Sequence, residues 1–186
     1  MTAKDKLSIG LINLFAVPVK KKISVSRLVK ISKVNRTTFY RNFRNIDELI
    51  KWFVLKDLTF KYQGSAKFNF EYAFQKVFNY IDEYYELFQN IFKSPYFHNI
   101  SDFIVSEIYN YQISTFASID QQGLVSGDER KTYSKFYAHG IYSLFLEYIL
   151  NPSNPKIRKA YISYALRIVK GYMERAIELT HARQYE

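Results

Sequence analysis

Asn35-Arg36-Thr37-Thr38-Phe39-Tyr40-Arg41-Asn42-Phe43-Arg44 is the stretch on which the reading of this chain turns. Asn35 is a residue type that caps helices, its side-chain oxygen taking a backbone N–H of the first turn. A helix over residues 36–43 then puts Phe39 and Phe43, four apart, on one face for burial. Arg36, Thr37, Thr38, Tyr40, Arg41 and Asn42 are left for other work. Upstream, Ser24 can cap a short helix over residues 24–32 that buries Leu28 and Ile31, with Val25 beside them, and Lys33-Val34 turns the chain between the two. Further out, Leu7, Leu11, Leu14 and Phe15 make an apolar stripe at helical spacing behind a Thr2-x-x-Asp5 capping box, and Pro18 stops that helix. Two short helices joined by a tight turn inside a three-helix head describe a helix-turn-helix.

Charge singles out the same segment. Between Lys20 and Arg44 lie nine bases, Lys20, Lys21, Lys22, Arg27, Lys30, Lys33, Arg36, Arg41 and Arg44, and no acid. Residues 1–50 hold eleven bases against three acids, so most of the net charge of +10 sits in the first quarter of the 186 residues. Positive charge confined to one segment points to nucleic acid or an anionic membrane, with an ordinary solvated basic face as the plainer alternative. A membrane-surface role needs a continuous basic amphipathic helix through Lys20, Lys21 and Lys22, which Pro18 opposes.

A hydrophobic share of 48% with 24% charged residues is globular. Six glycines and four prolines leave room for long helices, and the lack of cysteine excludes disulfides and thiolate metal sites. No run approaches the roughly 18 apolar residues that span a bilayer, and no small-residue cleavage site follows the short apolar stretch after Lys6. The expectation is a cytoplasmic protein with no membrane partner.

The periodicity is helical throughout, which predicts an all-α fold. The head spans residues 1–50 and a larger helical body residues 51–186. A connecting helix is expected over residues 47–62, opened by an Asn45–Glu48 capping box, with Leu49, Ile50, Phe53 and Leu58 available for burial. Gln63-Gly64-Ser65-Ala66-Lys67 reads as a weak joint. One helix each is expected over residues 69–93, 101–120, 129–151 and 156–182, with the loosest segment at residues 121–127 and a sharp break at residues 151–155.

The head's residue types suit DNA. Arg36, Thr37 and Thr38, at the start of a recognition helix, face a major groove, where Arg reads guanine bidentately and Thr offers a hydroxyl and a methyl. Tyr40, Arg41 and Asn42 suit phosphates or base edges. Ser24 and Ser26, with Arg27, can meet a phosphate at the start of the preceding helix, and residues 20–22 add salt-dependent attraction. The run Ile23-Ser24-Val25-Ser26-Arg27-Leu28-Val29-Lys30-Ile31-Ser32-Lys33-Val34-Asn35-Arg36-Thr37-Thr38-Phe39-Tyr40-Arg41-Asn42-Phe43-Arg44-Asn45-Ile46-Asp47-Glu48-Leu49 resembles the DNA-binding signature of the TetR family of transcriptional regulators. Thr38-Phe39-Tyr40 to Phe43 and Asp47-Glu48-Leu49 are its most specific parts, and the likeness covers about residues 5–55. It implies an all-helical homodimer whose heads each bind half of a palindromic operator in double-stranded DNA, while the body dimerises and houses a small-molecule pocket. It places Arg36, Thr37 and Thr38 at base-facing positions, Tyr40 and Asn42 at backbone-contacting ones, and Ser26 on the supporting helix. Two positions depart from the pattern. Lys33 stands where the family usually has a small residue, often Gly, and Ile46 where it commonly has Lys, with Arg44 or Lys51 as substitutes.

Thirty of the 34 aromatic residues lie beyond residue 50. They suggest a pocket for a small apolar or aromatic effector, with Tyr84, Phe88, Phe103, Tyr109, Tyr137 and His139 as candidate lining; plain core is the alternative. Ile141, Phe145 and Tyr148 on one helix and Tyr164, Ile168 and Tyr172 on another are candidates for a dimer interface built as a four-helix bundle, with packing inside one chain as the alternative. The three histidines, His98, His139 and His181, have no ligand-like spacing. Asp82-Glu83 and Asp128-Glu129 point apart on helices, and no phosphate loop or nucleophile motif occurs. No catalysis, metal or cofactor is expected. The function that follows is a TetR-like repressor relieved by an effector, coupled through the fourth helix. A protein-interaction module, coactivator or adaptor, that takes its signal from a partner protein is the competing reading.

Overall fold

The computed structural model describes residues 1–56, 70–120, 122–151, 155–169 and 171–183; ten helices and no strand are found among them. They are α1 (Ala3–Phe15), α2 (Val25–Ser32), α3 (Arg36–Asn42), α4 (Ile46–Leu55), α5 (Phe70–Glu83), α6 (Tyr85–Phe92), α7 (Phe97–Ile119), α8 (Gly127–Leu150), α9 (Pro155–Val169) and α10 (Tyr172–Arg183). The chain divides into two compact units, Met1–Asp102 and Phe103–Glu186. The expected DNA-binding head therefore lies inside a unit that also contains α4, α5, α6 and the first turns of α7.

Each helix of the head starts where a side chain takes an orphan backbone N–H. Thr2 and Asp5 form the full capping box of α1, and hydrogen bonds from the backbone and hydroxyl of Thr2 hold the Asp5 carboxyl below its ordinary range. Ser24 Oγ accepts from Arg27 N at 3.3 Å, Asn35 Oδ1 from Thr38 N at 2.6 Å, and Asn45 Oδ1 from Glu48 N at 2.8 Å. The box expected at α4 is only half made, because Glu48 Oε2 accepts from Arg44 N at 2.5 Å rather than from Asn45. Lys33 ends α2 in the left-handed region, at φ 52 and ψ 42. Val34 N–H reaches back to the Val29 carbonyl at 3.1 Å, the long bond of a Schellman motif. The turn that the sequence pattern reserves for a small residue does take positive φ here, with lysine in it.

Leu7, Leu11, Leu14 and Phe15 of α1, Leu28 of α2, Phe39 and Phe43, and Leu49, Ile50 and Phe53 of α4 are all buried. At roughly 25 cal/mol per Å² of apolar surface, such side chains contribute about 1.5–3 kcal/mol each. Ile31 is 39% exposed, against expectation; Val29, adjacent to Leu28, is buried in its place. The continuation of α4 to Tyr62, Leu58, and the Gln63-Gly64-Ser65-Ala66-Lys67 joint lie outside the described residues.

The single helix expected over residues 69–93 is two. The chain breaks at Tyr84, at φ −118 and ψ 35, where the Tyr84 ring lies edge-on to Phe53 at 5.4 Å and tilted to Tyr80 at 5.1 Å. Tyr80 also donates its hydroxyl to the Phe53 carbonyl at 2.7 Å. Ser94 follows α6 and gives way to Pro95 and Tyr96 ahead of α7, which starts four residues earlier than expected.

In the second unit, Asp120 closes α7. Its carboxylate accepts from Leu124 N at 2.8 Å, Val125 N at 3.0 Å and Arg130 Nη2 at 3.3 Å. Burial pushes this carboxyl upward, but the Val125 and Leu124 N–H bonds and the Arg130 charge outweigh it and hold the group below the usual carboxylate range. Ser126 and Glu129 form the capping box of α8. The α8–α9 side is marked by Tyr148 against Tyr161 at 6.4 Å and by the Tyr161 hydroxyl on Glu147 at 2.8 Å. Burial, that hydrogen bond and the Glu147 charge push the Tyr161 phenol up to about 12. The helix expected over residues 156–182 is interrupted by Gly171 at φ 70, a conformation that glycine adopts at little cost. Residues 152–154 of the expected break, and Gln121, lie outside the described residues. Among the described residues no helix is long and apolar enough to cross a membrane.

Candidate nucleic-acid interface

The recognition-helix candidate is held from one side and open on the other. Phe39 is fully buried and Phe43 is 3% exposed, with their rings 6.3 Å apart. Phe43 packs on Trp52 of α4 at 5.5 Å, and the Lys4 ammonium lies over both rings, at 5.6 and 5.3 Å. With that face anchored, Arg36, Thr37, Tyr40 and Arg41 are exposed, and Thr38 and Asn42 are half-buried. Tyr40 reaches 57% exposure although its ring edges Phe39 at 5.2 Å.

All nine bases between residues 20 and 44 are exposed, and among the described residues none of them makes an ion pair with a carboxylate. Ser24, Ser26, Arg27 and Asn35 are exposed as well. Two expected contacts are occupied within the chain. Arg36 Nη2 donates to Ser26 Oγ, tying the first residue of α3 to α2, and Asn42 Nδ2 donates to the Thr38 carbonyl at 2.8 Å. The ten DNA-binding candidates thus fall on α2, α3 and their caps, with Phe39 and Phe43 beneath them.

Three polar side chains that sequence reasoning missed hold this head from below. Asn90 Nδ2 donates to the Phe15 carbonyl at 2.8 Å, and Asn99 Nδ2 to Asp47 Oδ1 at 2.8 Å. Ile23 N–H donates to the Tyr96 hydroxyl at 2.7 Å, and that hydroxyl donates to the Ile23 carbonyl at 3.5 Å. Burial pushes the Tyr96 phenol upward against the Ile23 bond, and the Asp47 charge adds to the rise; the hydroxyl stays protonated, able to accept and donate together. The partners are up to 75 residues apart, so local pattern carries no signal of them.

The effector candidates are divided between the units. Tyr84 and Phe88 belong to the first, in an aromatic cluster with Phe53 and Tyr80. Phe103, Tyr109, Tyr137 and His139 belong to the second; His139 is exposed, and Tyr137 stacks on Tyr172 at 3.7 Å. Of the dimer candidates, Ile141, Phe145, Tyr148 and Tyr172 are buried within the single chain, while Tyr164 and Ile168 are 56% and 67% exposed. Phe136 of α8, which sequence reasoning did not single out for the interface, is 72% exposed. Among the described residues no group of three or more His, Asp or Glu side chains could hold a metal ion.

With the geometry in hand, comparison with known proteins decides the family. Residues 69–178 match a TetR family model described as "Transcriptional regulator C-terminal region". The chain belongs to the TetR family of transcriptional regulators. The match covers the body, which sequence reasoning could not assign, and complements the N-terminal signature. Among solved structures, this TetR regulator is similar to the "Dihydroxyacetone kinase operon activator DhaS", with a TM-score of 0.62 and 21% identity over 90% of this chain and 96% of that one. That likeness shows the all-helical fold. No curated protein matches the sequence significantly. The family is one of regulators rather than enzymes.

Proposed function

We propose that this TetR-family chain is a sequence-specific DNA-binding regulator that reads a palindromic operator as a homodimer. The observation that carries the reading is the two-sided α3: Phe39 and Phe43 anchor it, and Arg36, Thr37, Tyr40 and Arg41 stand exposed in a run of nine bases that make no ion pair among the described residues. Arg36 is the base reader. Ser26 holds its guanidinium before DNA arrives, and a guanine edge replaces that contact. Tyr40, Arg41, Ser24 and residues 20–22 serve phosphates. The exposed Phe136, Tyr164 and Ile168 supply apolar surface for dimerisation, and the aromatic-rich body takes a small apolar or aromatic effector that changes operator affinity.

The test is binding to a duplex enriched by selection, followed across salt. Arg36→Ala costs about 1–3 kcal/mol and relaxes discrimination at one base pair of each half-site. An Arg36→Ala protein that binds every duplex as the wild type does refutes the assignment. The similar structure is that of an operon activator, which supports a second reading of the output: activation, with the exposed Phe136 meeting a partner protein.

A further inference from the structure

Ile23 sits at the hinge of the basic arm. Lys20, Lys21 and Lys22 precede it, all exposed, and Ser24, the cap of α2, follows it. Ile23 itself is 7% exposed, and both its backbone polar groups go to one atom, the hydroxyl of Tyr96. Tyr96 is 1% exposed, its ring is edge-on to Phe15 at 6.1 Å, and the Lys22 ammonium lies over that ring at 5.8 Å. Asn90 and Asn99, either side of Tyr96 in the corner between α6 and α7, fasten the end of α1 and the start of α4. One corner of the first unit thus grips the head at three points, and the buried grip is on the arm.

The two tethers beside it, Asn90 and Asn99, ask only for a fixed head. The arm needs more, because a lysine run in an unordered segment loses backbone freedom when it lies along a phosphate row, whereas a pre-set arm does not. A phenol that accepts from the N–H and donates to the C=O of one residue fixes the orientation of that peptide as well as its position.

We propose that Tyr96 is a positioning residue for operator binding: its hydroxyl holds Ile23 so that Lys20, Lys21 and Lys22 are presented to phosphates. The inference rests on the operator-binding reading above. It makes the salt dependence of binding, rather than base selectivity, the property that Tyr96 controls. Each phosphate contact adds about 0.9 to the slope of log affinity against log salt, equivalent to about eightfold in affinity at 0.1 M salt.

The experiment compares wild type, Tyr96→Phe, Lys20→Ala/Lys21→Ala/Lys22→Ala and their combination on the selected operator duplex, by fluorescence anisotropy over a salt series. Tyr96→Phe keeps the ring and removes the oxygen. The expected result is a shallower slope, by about one unit per head, with an affinity loss of about eightfold per lost contact. The preference for operator over scrambled duplex stays unchanged, and the lysine-free background shows no further loss. A Tyr96→Phe protein with lowered melting temperature but unchanged slope overturns the inference, as does a loss that adds in full to the triple lysine change. Amide hydrogen exchange on the wild type supplies a readout that needs no variant to fold: the Ile23 amide is slow and the Lys21 amide fast, and a fast Ile23 amide equally overturns the inference. A wild-type protein with a slow Ile23 amide but no salt-sensitive duplex binding removes the operator reading and this inference with it, whereas normal binding with an unchanged Tyr96→Phe slope removes this inference alone.

Discussion

Lys33 is the residue at which backbone physics and charge can be separated. It is the one non-glycine residue with positive φ among the described residues, at φ 52, and it is exposed. A left-handed backbone costs an L-residue roughly 1–2 kcal/mol, and glycine escapes that cost while giving up about 0.5–1 kcal/mol to the greater freedom of its unfolded chain. Lys33→Gly is therefore expected to stabilise the protein by about 0.5–1 kcal/mol, a rise of roughly 1–4 °C in melting temperature for a chain of this size. The capping bonds from the Lys33 N–H to the Lys30 and Val29 carbonyls do not involve the side chain, so they survive. Lys33→Ala removes the same charge and keeps the Cβ; it is expected to match wild type within about 0.5 kcal/mol, as exposed substitutions do. The assay is urea unfolding followed by fluorescence of the single tryptophan, Trp52, which packs on Phe43 in the head. Equal stabilisation by Gly and Ala would show that the side chain, not the backbone, carries the effect. Destabilisation by Gly would refute the reasoning outright.

Other outcomes follow from single contacts. Gly10→Ala places a Cβ 1.9 Å from Ser32 Oγ and 3.0 Å from Ser32 Cβ; although alanine favours helices by about 1 kcal/mol, overpacking is expected to cost a net 1–3 kcal/mol or so, and Ser32→Ala should recover part of it in the same urea assay. Asp120→Asn is expected to cost about 1.5–3 kcal/mol by weakening charged hydrogen bonds. The Asp120 carboxyl is held below its ordinary range in the folded state, so its stabilisation is full above the unfolded value of about 3.9 and is lost as pH falls through the lower folded value. The gap between wild type and Asp120→Asn in melting temperature should accordingly close in acid, and a constant gap contradicts the assignment. Ile168→Glu puts a charge on an apolar side chain that is 67% exposed; it should shift the protein from dimer to monomer in sedimentation without lowering the melting temperature of the monomer, and an unchanged dimer moves the interface elsewhere.

What could be read in advance was what is local. Thr2, Ser24, Asn35 and Asn45 cap within three residues of themselves, so four helix starts were legible from residue type and spacing. The burial of Phe39 and Phe43 followed from their four-residue separation, and with it the exposed face of α3. The break at Tyr84 was not legible, because neither Gly nor Pro marks it and its ring meets Phe53, 31 positions away. Gly171 did carry a signal, which a helical pattern on both sides obscured. Ile141, Phe145 and Tyr148 form a stripe that fits a partner helix equally well whether it comes from the same chain or another, and periodicity does not separate those cases. Tyr96 shows the limit most plainly. Ser94-Pro95 reads as a helix stop, and nothing near it announces a hydroxyl meant for Ile23.

The central claim is that α3 reads DNA sequence. It is tested most directly by selection from random duplex DNA with the wild-type protein, run in parallel with Arg36→Ala. The account predicts an enriched palindrome with half-sites about one helical turn apart or a multiple of it, with the Arg36→Ala pool degenerate at one position per half-site. Salt-sensitive retention of duplex with no enriched sequence, identical for both proteins, would contradict it and leave the head as a generic anion surface.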